Sequence, residues 1–219
     1  MMRDNTQTAP FTSCQAAMCF AYRHEHGVLP QNMLAKHQPK GASRGEPPPM
    51  GLDAAIVSGW IRQVIEGGAG FPGLPEPFKS VMLAKYSIDS SLNLPAKMTV
   101  LDYVLAEAMG TGLHKRRMVD LCVQRYFGGT MLCADGQRRP IRQHQVADYC
   151  QVSQPTVSNA YVRAKAWIAA KEAQAMNMVE FQLRGRGLVA TRETIAPHEG
   201  RTAASSPGVP LDAVVRGGA

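Results

Sequence analysis

Residues 143–162 read QHQVADYCQVSQPTVSNAYV, and their apolar residues have the spacing of two short crossing helices. Two short helices that cross steeply and are joined by about three residues need apolar side chains at fixed places of a twenty-residue frame. These places are the fourth, eighth, tenth, fifteenth and eighteenth, and the fifth needs a small residue where the helices touch. The frame holds Val146, Cys150, Val152, Val157 and Ala160 at the apolar places and Ala147 at the fifth. The spacing therefore predicts a helix-turn-helix at 143–162, with Gln151 at the ninth place, where glycine is usual.

The second helix of this frame carries its own start signals. Ser153 can cap it by accepting a hydrogen bond from a free backbone amide, and Pro155 lies in the first turn, where no amide hydrogen is needed. One side of this helix is apolar and carries Val157, Ala160, Tyr161, Ala164, Trp167, Ile168 and Ala175. The opposite side carries Gln154, Pro155, Ser158, Asn159, Val162, Arg163 and Lys165. Short polar groups followed by cations suit a helix that reads base edges with its first half and holds phosphate with its later residues.

The positive charge of the chain is concentrated around the same frame. The 219 residues include 24 Lys plus Arg and 17 Asp plus Glu, a net charge of +7. Residues 111–192 hold 13 of the basic and five of the acidic residues, a net charge of +8, whereas the rest of the chain has a net charge of −1. A basic segment attracts polyanions at long range and releases counterions on contact. Frame and charge together favour DNA binding over the alternative, an ordinary helical hairpin with a solvated charged face.

The remaining pattern predicts a mainly α-helical protein. Helical spacing of apolar residues predicts further helices at 53–65, 100–109 and 113–126, and residues 11–23 could form a short helix. Thr99 and Asp102 have the spacing of a capping box at the start of the helix at 100–109. A small hairpin between helices is predicted at 130–140, with its turn at Asp135-Gly136. In the helix at 53–65, the apolar residues near one face are Ala54, Val57, Trp60, Ile61 and Val64.

We expect three parts along the chain. Residues 1–50 show little periodicity and end in a breaker-rich stretch with three consecutive prolines at 47–49, which predicts a flexible N-terminal segment. Residues 51–192 are expected to form one helical domain, interrupted by a Gly/Pro stretch at 67–75 and containing the helix-turn-helix. Residues 193–219 are rich in Pro, Gly, Ala and Ser, which predicts a disordered tail.

Several classes of protein are excluded by what the sequence lacks. No apolar run approaches the roughly 18 residues of a membrane span, and the first ten residues have no hydrophobic core of a secretory signal. The five cysteines are odd in number and have no small-scaffold spacing, which favours reduced thiols. We therefore expect no membrane partner and a location in the cytoplasm of a bacterial host cell.

No motif supports catalysis or a bound cofactor. Cys14, Cys19, His24 and His26 lack the close pairs that structural zinc prefers, so we expect no metal site. Cys122 and Cys150 lie on apolar faces and are expected to be packing residues. The chain contains no phosphate-binding loop, nucleophile elbow or zinc-protease motif. We therefore expect no catalytic residue, no cofactor and no enzymatic activity.

The order of these elements resembles the phage late-gene antitermination Q proteins, in the compact branch that lacks a zinc motif. The resemblance covers about residues 55–180. It depends on the capped helix at 100–109, VQRYFG at 123–128, the apolar and cap residues of the frame, and AKAWI at 164–168. The frame is also similar to the region of bacterial sigma factors that reads the upstream promoter element. The chain departs from the Q family in two ways. The hairpin at 130–140 is longer than the family's usual link, and the N- and C-terminal tails are additional to the family pattern.

The resemblance implies a function and its residues. A Q protein binds DNA that overlaps a late promoter, engages the RNA polymerase paused there and travels with it, so that the polymerase reads through terminators. The implied base-reading positions are Gln154, Ser158 and Asn159, with Thr156 beside them at the start of the helix. The implied phosphate contacts are Arg142, Arg163 and Lys165. Double-stranded DNA and bacterial RNA polymerase are thus the expected partners.

Two other functions of a helix-turn-helix are alternatives to antitermination. A simple phage or plasmid repressor acts by occupying DNA and is usually a dimer that matches a palindrome. Residues 172–183 could supply a dimer helix for it, but they suit an intramolecular core as well. A small terminase subunit would instead use the motif to recognise packaging DNA, and would form ring-sized particles in solution.

Overall fold

The computed structural model describes residues 9–23, 52–68, 70–109, 116–132 and 136–190. These residues form seven α-helices and a two-stranded hairpin: α1 (Cys14–Arg23), α2 (Leu52–Glu66), α3 (Phe78–Tyr86), α4 (Ser90–Tyr103), α5 (Arg116–Tyr126), β1 (Thr130–Leu132), β2 (Arg138–Pro140), α6 (Gln143–Cys150) and α7 (Gln154–Gly185). A π-helical turn, Val104–Ala108, continues α4. The mainly helical class and the small hairpin between helices are confirmed. The tail predicted at 193–219 lies outside the described residues.

The first of two hydrophobic cores joins α1, α2, α3 and the C-terminal half of α7. Its largest fully buried side chains include Tyr22, Phe20, Ile61 and Met82. The chain just before α1 is also tied to the end of α7. The Phe11 amide donates to the Leu188 carbonyl at 3.1 Å, and the Ala190 amide donates to the Phe11 carbonyl at 3.1 Å. The N-terminal helix is therefore an integral part of this core.

Helix α1 corrects the prediction that residues 1–50 are a flexible segment. Its buried residues are Cys14, Ala16, Ala17, Met18, Phe20, Ala21 and Tyr22. The short helix considered at 11–23 is therefore formed, and most of its surface is covered by the first core. Residues 9–23 thus belong to the helical domain, and the remainder of 1–50 lies outside the described residues.

The second core joins the C-terminal half of α4, α5, α6 and the N-terminal half of α7. Helix α7 spans both cores, because it is 32 residues long. The residues that it buries are Val157, Ala160, Ala164 and Ile168 in the second core, and Ala175, Val179 and Leu183 in the first. Of the two roles that the sequence left open for residues 172–183, the structure shows the intramolecular core.

The capping box predicted at Thr99 is not formed. Helix α4 begins at Ser90, nine residues before Thr99. The Asp89 carboxylate caps it by accepting a hydrogen bond of 2.8 Å from the Ser91 amide. Thr99 lies inside this helix, and its hydroxyl donates to the Pro95 carbonyl at 3.1 Å. A threonine with an acid three residues later has the same spacing inside a helix as at its start, so the pattern alone did not fix the boundary.

Helix α2 matches the helix predicted at 53–65 except at one residue. Ala54, Ile61 and Val64 are buried, whereas Trp60, expected on the apolar face, is 48% exposed. The Gly/Pro stretch that follows is irregular, as predicted, and closes through a pair of hydrogen bonds of 2.9 Å between Gly68 and Phe71. Gly73 has a φ of +70°, and a side chain there would approach the Gly67 amide nitrogen to 2.6 Å. This close approach requires glycine.

Candidate nucleic-acid interface

Helices α6 and α7 are joined by residues 151–153 through a tight left-handed turn. Gln151 has φ 53° and ψ 52°. Its amide donates to the Asp148 carbonyl at 3.3 Å, and the Val152 amide donates to the Ala147 carbonyl at 3.0 Å. This pair of bonds is the Schellman arrangement, which satisfies the last carbonyls of a helix. Glutamine thus adopts here the conformation for which glycine is usual.

The start of α7 is capped as the sequence predicts. Ser153 has extended backbone, and its Oγ accepts from the Thr156 amide at 3.4 Å. The Ser153 and Thr156 hydroxyl oxygens lie 2.8 Å apart, within hydrogen-bond distance. Pro155 occupies the first turn. Thr156 is exposed, but its hydroxyl lies within hydrogen-bond distance of the Ser153 cap. In this it differs from the other predicted DNA contacts.

The apolar places of the 143–162 frame lie inside the second core. Val146, Ala147, Cys150, Val157 and Ala160 are buried, and Val152 packs partly buried against them. Burial raises the pKa of the neighbouring Cys122 thiol to about 11, so this side chain stays neutral in the core. The core side of the α6–α7 pair is therefore apolar and closed.

The other side of the pair faces solvent with the side chains that the sequence singled out. Gln154, Asn159, Arg163 and Lys165 are exposed on α7, and Ser158 is half-buried between them. Arg142 is exposed at the start of α6, where its backbone amide donates to Gln145 Oε1 at 3.1 Å. The predicted residues thus lie at the start of α6 and on the first three turns of α7.

The cations of this face differ from the other cations of the basic segment. Neither Arg142, Arg163 nor Lys165 forms an ion pair with any residue that the structure describes. Elsewhere in the segment, Arg116 pairs with Asp102 at 2.7 Å, Lys171 with Glu107 at 3.7 Å, and Arg184 with Glu180. Among the residues that the structure describes, no acid therefore competes with an external anion for these cations.

Two further arginines of the segment lie on aromatic rings rather than in ion pairs. The Arg125 guanidinium is 4.4 Å from the centre of the Tyr161 ring, and the Arg117 guanidinium is 4.7 Å from that of Tyr149. Both contacts are cation–π interactions that hold α5 against α6 and α7. The charge count of the sequence gave no means of telling these packing arginines from the available ones.

Midway along α7, one carboxylate fixes the helix to two neighbours. Glu172 accepts a hydrogen bond of 2.9 Å from the Tyr126 hydroxyl with one oxygen, and its other oxygen pairs with Lys85. Burial, followed by the hydrogen bond to Glu172, raises the pKa of Tyr126, so the hydroxyl remains a donor. The orientation of α7 about its own axis is thereby set relative to α3 and α5.

Comparison with known proteins identifies no relative, because no family model, curated protein or solved structure matches the chain. Within the described residues, no group of three His, Cys, Asp or Glu side chains could hold a metal ion. None of the described helices has the length and apolar character needed to cross a bilayer.

Proposed function

We propose that the chain binds double-stranded DNA in a sequence-specific manner, with α6 and α7 as a helix-turn-helix. The observation that carries this proposal is the solvent face of α7. On it, Gln154, Ser158 and Asn159 are followed by two cations, Arg163 and Lys165, that pair with no described residue. A cation that lacks an internal partner keeps its full capacity to contact phosphate.

The two kinds of side chain on this face have separate roles in the proposed complex. Gln154 and Asn159 carry amides, which can pair bidentately with adenine, and Ser158 can contact either kind of base. Arg142, Arg163 and Lys165 would contact phosphates and set the register of the helix along the duplex. Thr156, whose hydroxyl is engaged with Ser153, contributes mainly by fixing the first turn of α7.

Selection from a duplex library with a randomised centre tests DNA recognition directly. The full chain is incubated with the library, bound duplexes are recovered through several rounds, and affinities for the selected and a scrambled duplex are measured by fluorescence anisotropy. We expect enrichment of one sequence and a clearly higher affinity for it. Recovery of no common sequence, together with equal affinity for both duplexes, would exclude specific recognition.

The finer proposal is that this DNA binding serves transcription antitermination with RNA polymerase as the second partner. It is supported by the resemblance to the Q proteins alone. The test is a purified transcription assay in which the selected DNA site lies beside a promoter and a terminator lies downstream. We expect read-through of the terminator only when the chain and its site are both present. Equal termination with and without the chain excludes antitermination and leaves DNA binding as a separate question.

A further inference from the structure

Only one of the two faces of the hairpin before α6 packs against the second core. β1 and β2 pair antiparallel, with Thr130 opposite Pro140, Met131 opposite Arg139 and Leu132 opposite Arg138. Cross-strand partners lie on the same face of a ribbon, and successive residues lie on opposite faces. Met131 is half-buried against the second core, so the face that carries Leu132 and Arg138 points away from the protein.

The base of the hairpin is fixed to the same core as the α6–α7 pair. Ile141, between β2 and α6, is buried in the second core, and its amide donates to the Gly129 carbonyl at 3.4 Å. The Gly129 amide in turn donates to the Gln124 carbonyl at 2.8 Å. The hairpin is therefore anchored next to the start of α6 rather than attached through a free linker.

The outer face of the hairpin has no explanation in the packing of the domain. Leu132 is 67% exposed, which leaves most of a large apolar side chain in water. Arg138, directly opposite, is exposed and forms no ion pair with any described residue. Thr130 and Pro140 complete this face. An arginine beside an apolar wedge is the combination with which proteins enter the minor groove of DNA.

The position of the hairpin beside α6 indicates which groove of DNA it would contact. In a helix-turn-helix, the second helix occupies the major groove and the first helix crosses the phosphate backbone. The hairpin ends at Pro140, two residues before Arg142 at the start of α6. Because the hairpin adjoins the first helix in sequence, it can reach the minor groove that neighbours the crossed backbone.

We propose that the hairpin is a second DNA-binding element, which places Leu132 and Arg138 in the minor groove beside the site read by α7. This inference rests on the DNA binding proposed above. It extends the contact from one groove to two, and it assigns a partner to an exposed leucine and arginine. Arg138 supplies the cation that the narrow groove attracts, and Leu132 the apolar contact with the sugars and base edges.

The hairpin contains its own matched control. Arg138→Ala and Arg139→Ala each remove one arginine from neighbouring positions of the same strand, but only Arg138 lies on the outer face. The probe is the duplex selected by the unmodified chain. We expect Arg138→Ala to weaken binding about tenfold, a loss typical of one specific contact, whereas Arg139→Ala changes it much less. Circular dichroism and thermal unfolding of both variants check that the exposed substitutions leave the domain folded.

Hydroxyl-radical footprinting identifies the groove, because the radicals attack sugars through the minor groove. With the unmodified chain we expect a protected minor-groove stretch beside the α7 site, which disappears in Leu132→Thr and Arg138→Ala. The minor-groove ligand netropsin should compete with the unmodified chain and leave the affinity of Arg138→Ala nearly unchanged.

Two results overturn the inference in distinguishable ways. If the unmodified chain selects a duplex but the hairpin variants keep its affinity and footprint, the hairpin does not contact DNA, and α7 alone carries the binding. If the unmodified chain binds no duplex at all, the proposed function fails and this inference fails with it.

Discussion

The indole Nε1 of Trp167 donates a hydrogen bond of 2.9 Å to Glu107 Oε2. This contact joins α7 to the π-helical turn after α4, where the Met109 amide donates to the Val104 carbonyl, five residues back. Tyr103 stacks on the same indole with ring centres 6.3 Å apart, and Lys171 pairs with Glu107 at 3.7 Å. The π-helical turn thus carries the carboxylate that holds α7 just beyond its proposed DNA-binding face.

Glu107→Ala tests this attachment. It removes the acceptor for the Trp167 indole and the partner of Lys171, so we expect the free energy of unfolding to fall by about 0.5–1.5 kcal/mol, the net value of one hydrogen bond. The measurement is urea denaturation followed by circular dichroism. Glu107→Gln is the control, because its amide oxygen can still accept from the indole and an exposed ion pair contributes little. Equal losses in both variants would contradict the importance of the hydrogen bond.

Gln151→Gly tests the left-handed turn between α6 and α7. A residue with a Cβ is strained at φ 53°, whereas glycine is not. We therefore expect the free energy of unfolding of the variant to be about 1 kcal/mol higher than that of the parent. Gln151→Ala keeps the Cβ and should show no such gain. Thermal unfolding of the three proteins measures the difference. A glycine variant that is less stable than the parent would show that the glutamine side chain contributes more than the turn costs.

The parts of the fold that were foreseen depend on local patterns with fixed spacing. The boundary between α6 and α7 followed from Gln151, Ser153 and Pro155, because turns and caps are determined by neighbours in sequence. A short helix at 11–23 was a candidate in the sequence, but its burial was not foreseen, because its contacts with α2 and with the end of α7 join residues distant in sequence. The start of α4 was misplaced for a different reason: Thr99 imitates a cap, and the true cap at Asp89 precedes a helix that continues through Pro95.

Alkaline pH is expected to destabilise the protein. Burial raises the pKa of the Cys122 thiol from 9.0 to about 11 and that of Cys14 from 9.0 to about 12. Above pH 9 the unfolded chain therefore loses thiol protons that the folded chain retains, so the free energy of unfolding falls as the pH rises to about 12. Urea denaturation at several pH values measures this slope.

Cys122→Ala is the control for the alkaline slope. Removing this thiol should make the fall of stability between pH 9 and pH 11 shallower, whatever the variant loses at neutral pH through the cavity that it creates. A slope identical to that of the parent would mean that Cys122 is not protected from ionisation by the core.

Arg163→Ala tests the phosphate contacts proposed for α7. Loss of one contact should weaken binding to the selected and the scrambled duplex alike, and lower the slope of log affinity against log salt by about 1. Arg116→Ala is matched in charge, but Arg116 on α5 already pairs with Asp102 on α4, so we expect a smaller change in the slope. Equal salt slopes for the two variants would show that only overall charge, and no particular site on α7, attracts DNA.

The candidate site was foreseen only in part, because sequence gives the face of a helix but not the partners of its side chains. The exposed positions of α7 followed from its periodicity. The periodicity does not show which cations lack a partner. Lys171 and Arg116 form ion pairs with acids distant in sequence, and Arg125 lies on the Tyr161 ring. The outer face of the hairpin required the strand register, which places Leu132 opposite Arg138.

The most direct test of the central proposal is the ratio of affinities for the selected and the scrambled duplex, measured for the parent chain and for Asn159→Ala. Asn159 is exposed on α7 among the proposed base-reading residues, so its loss should remove about 1–3 kcal/mol of discrimination at one or two base pairs. We expect the ratio to fall in the variant while its affinity for the scrambled duplex stays the same. An unchanged ratio would contradict the proposal that this face of α7 reads DNA sequence.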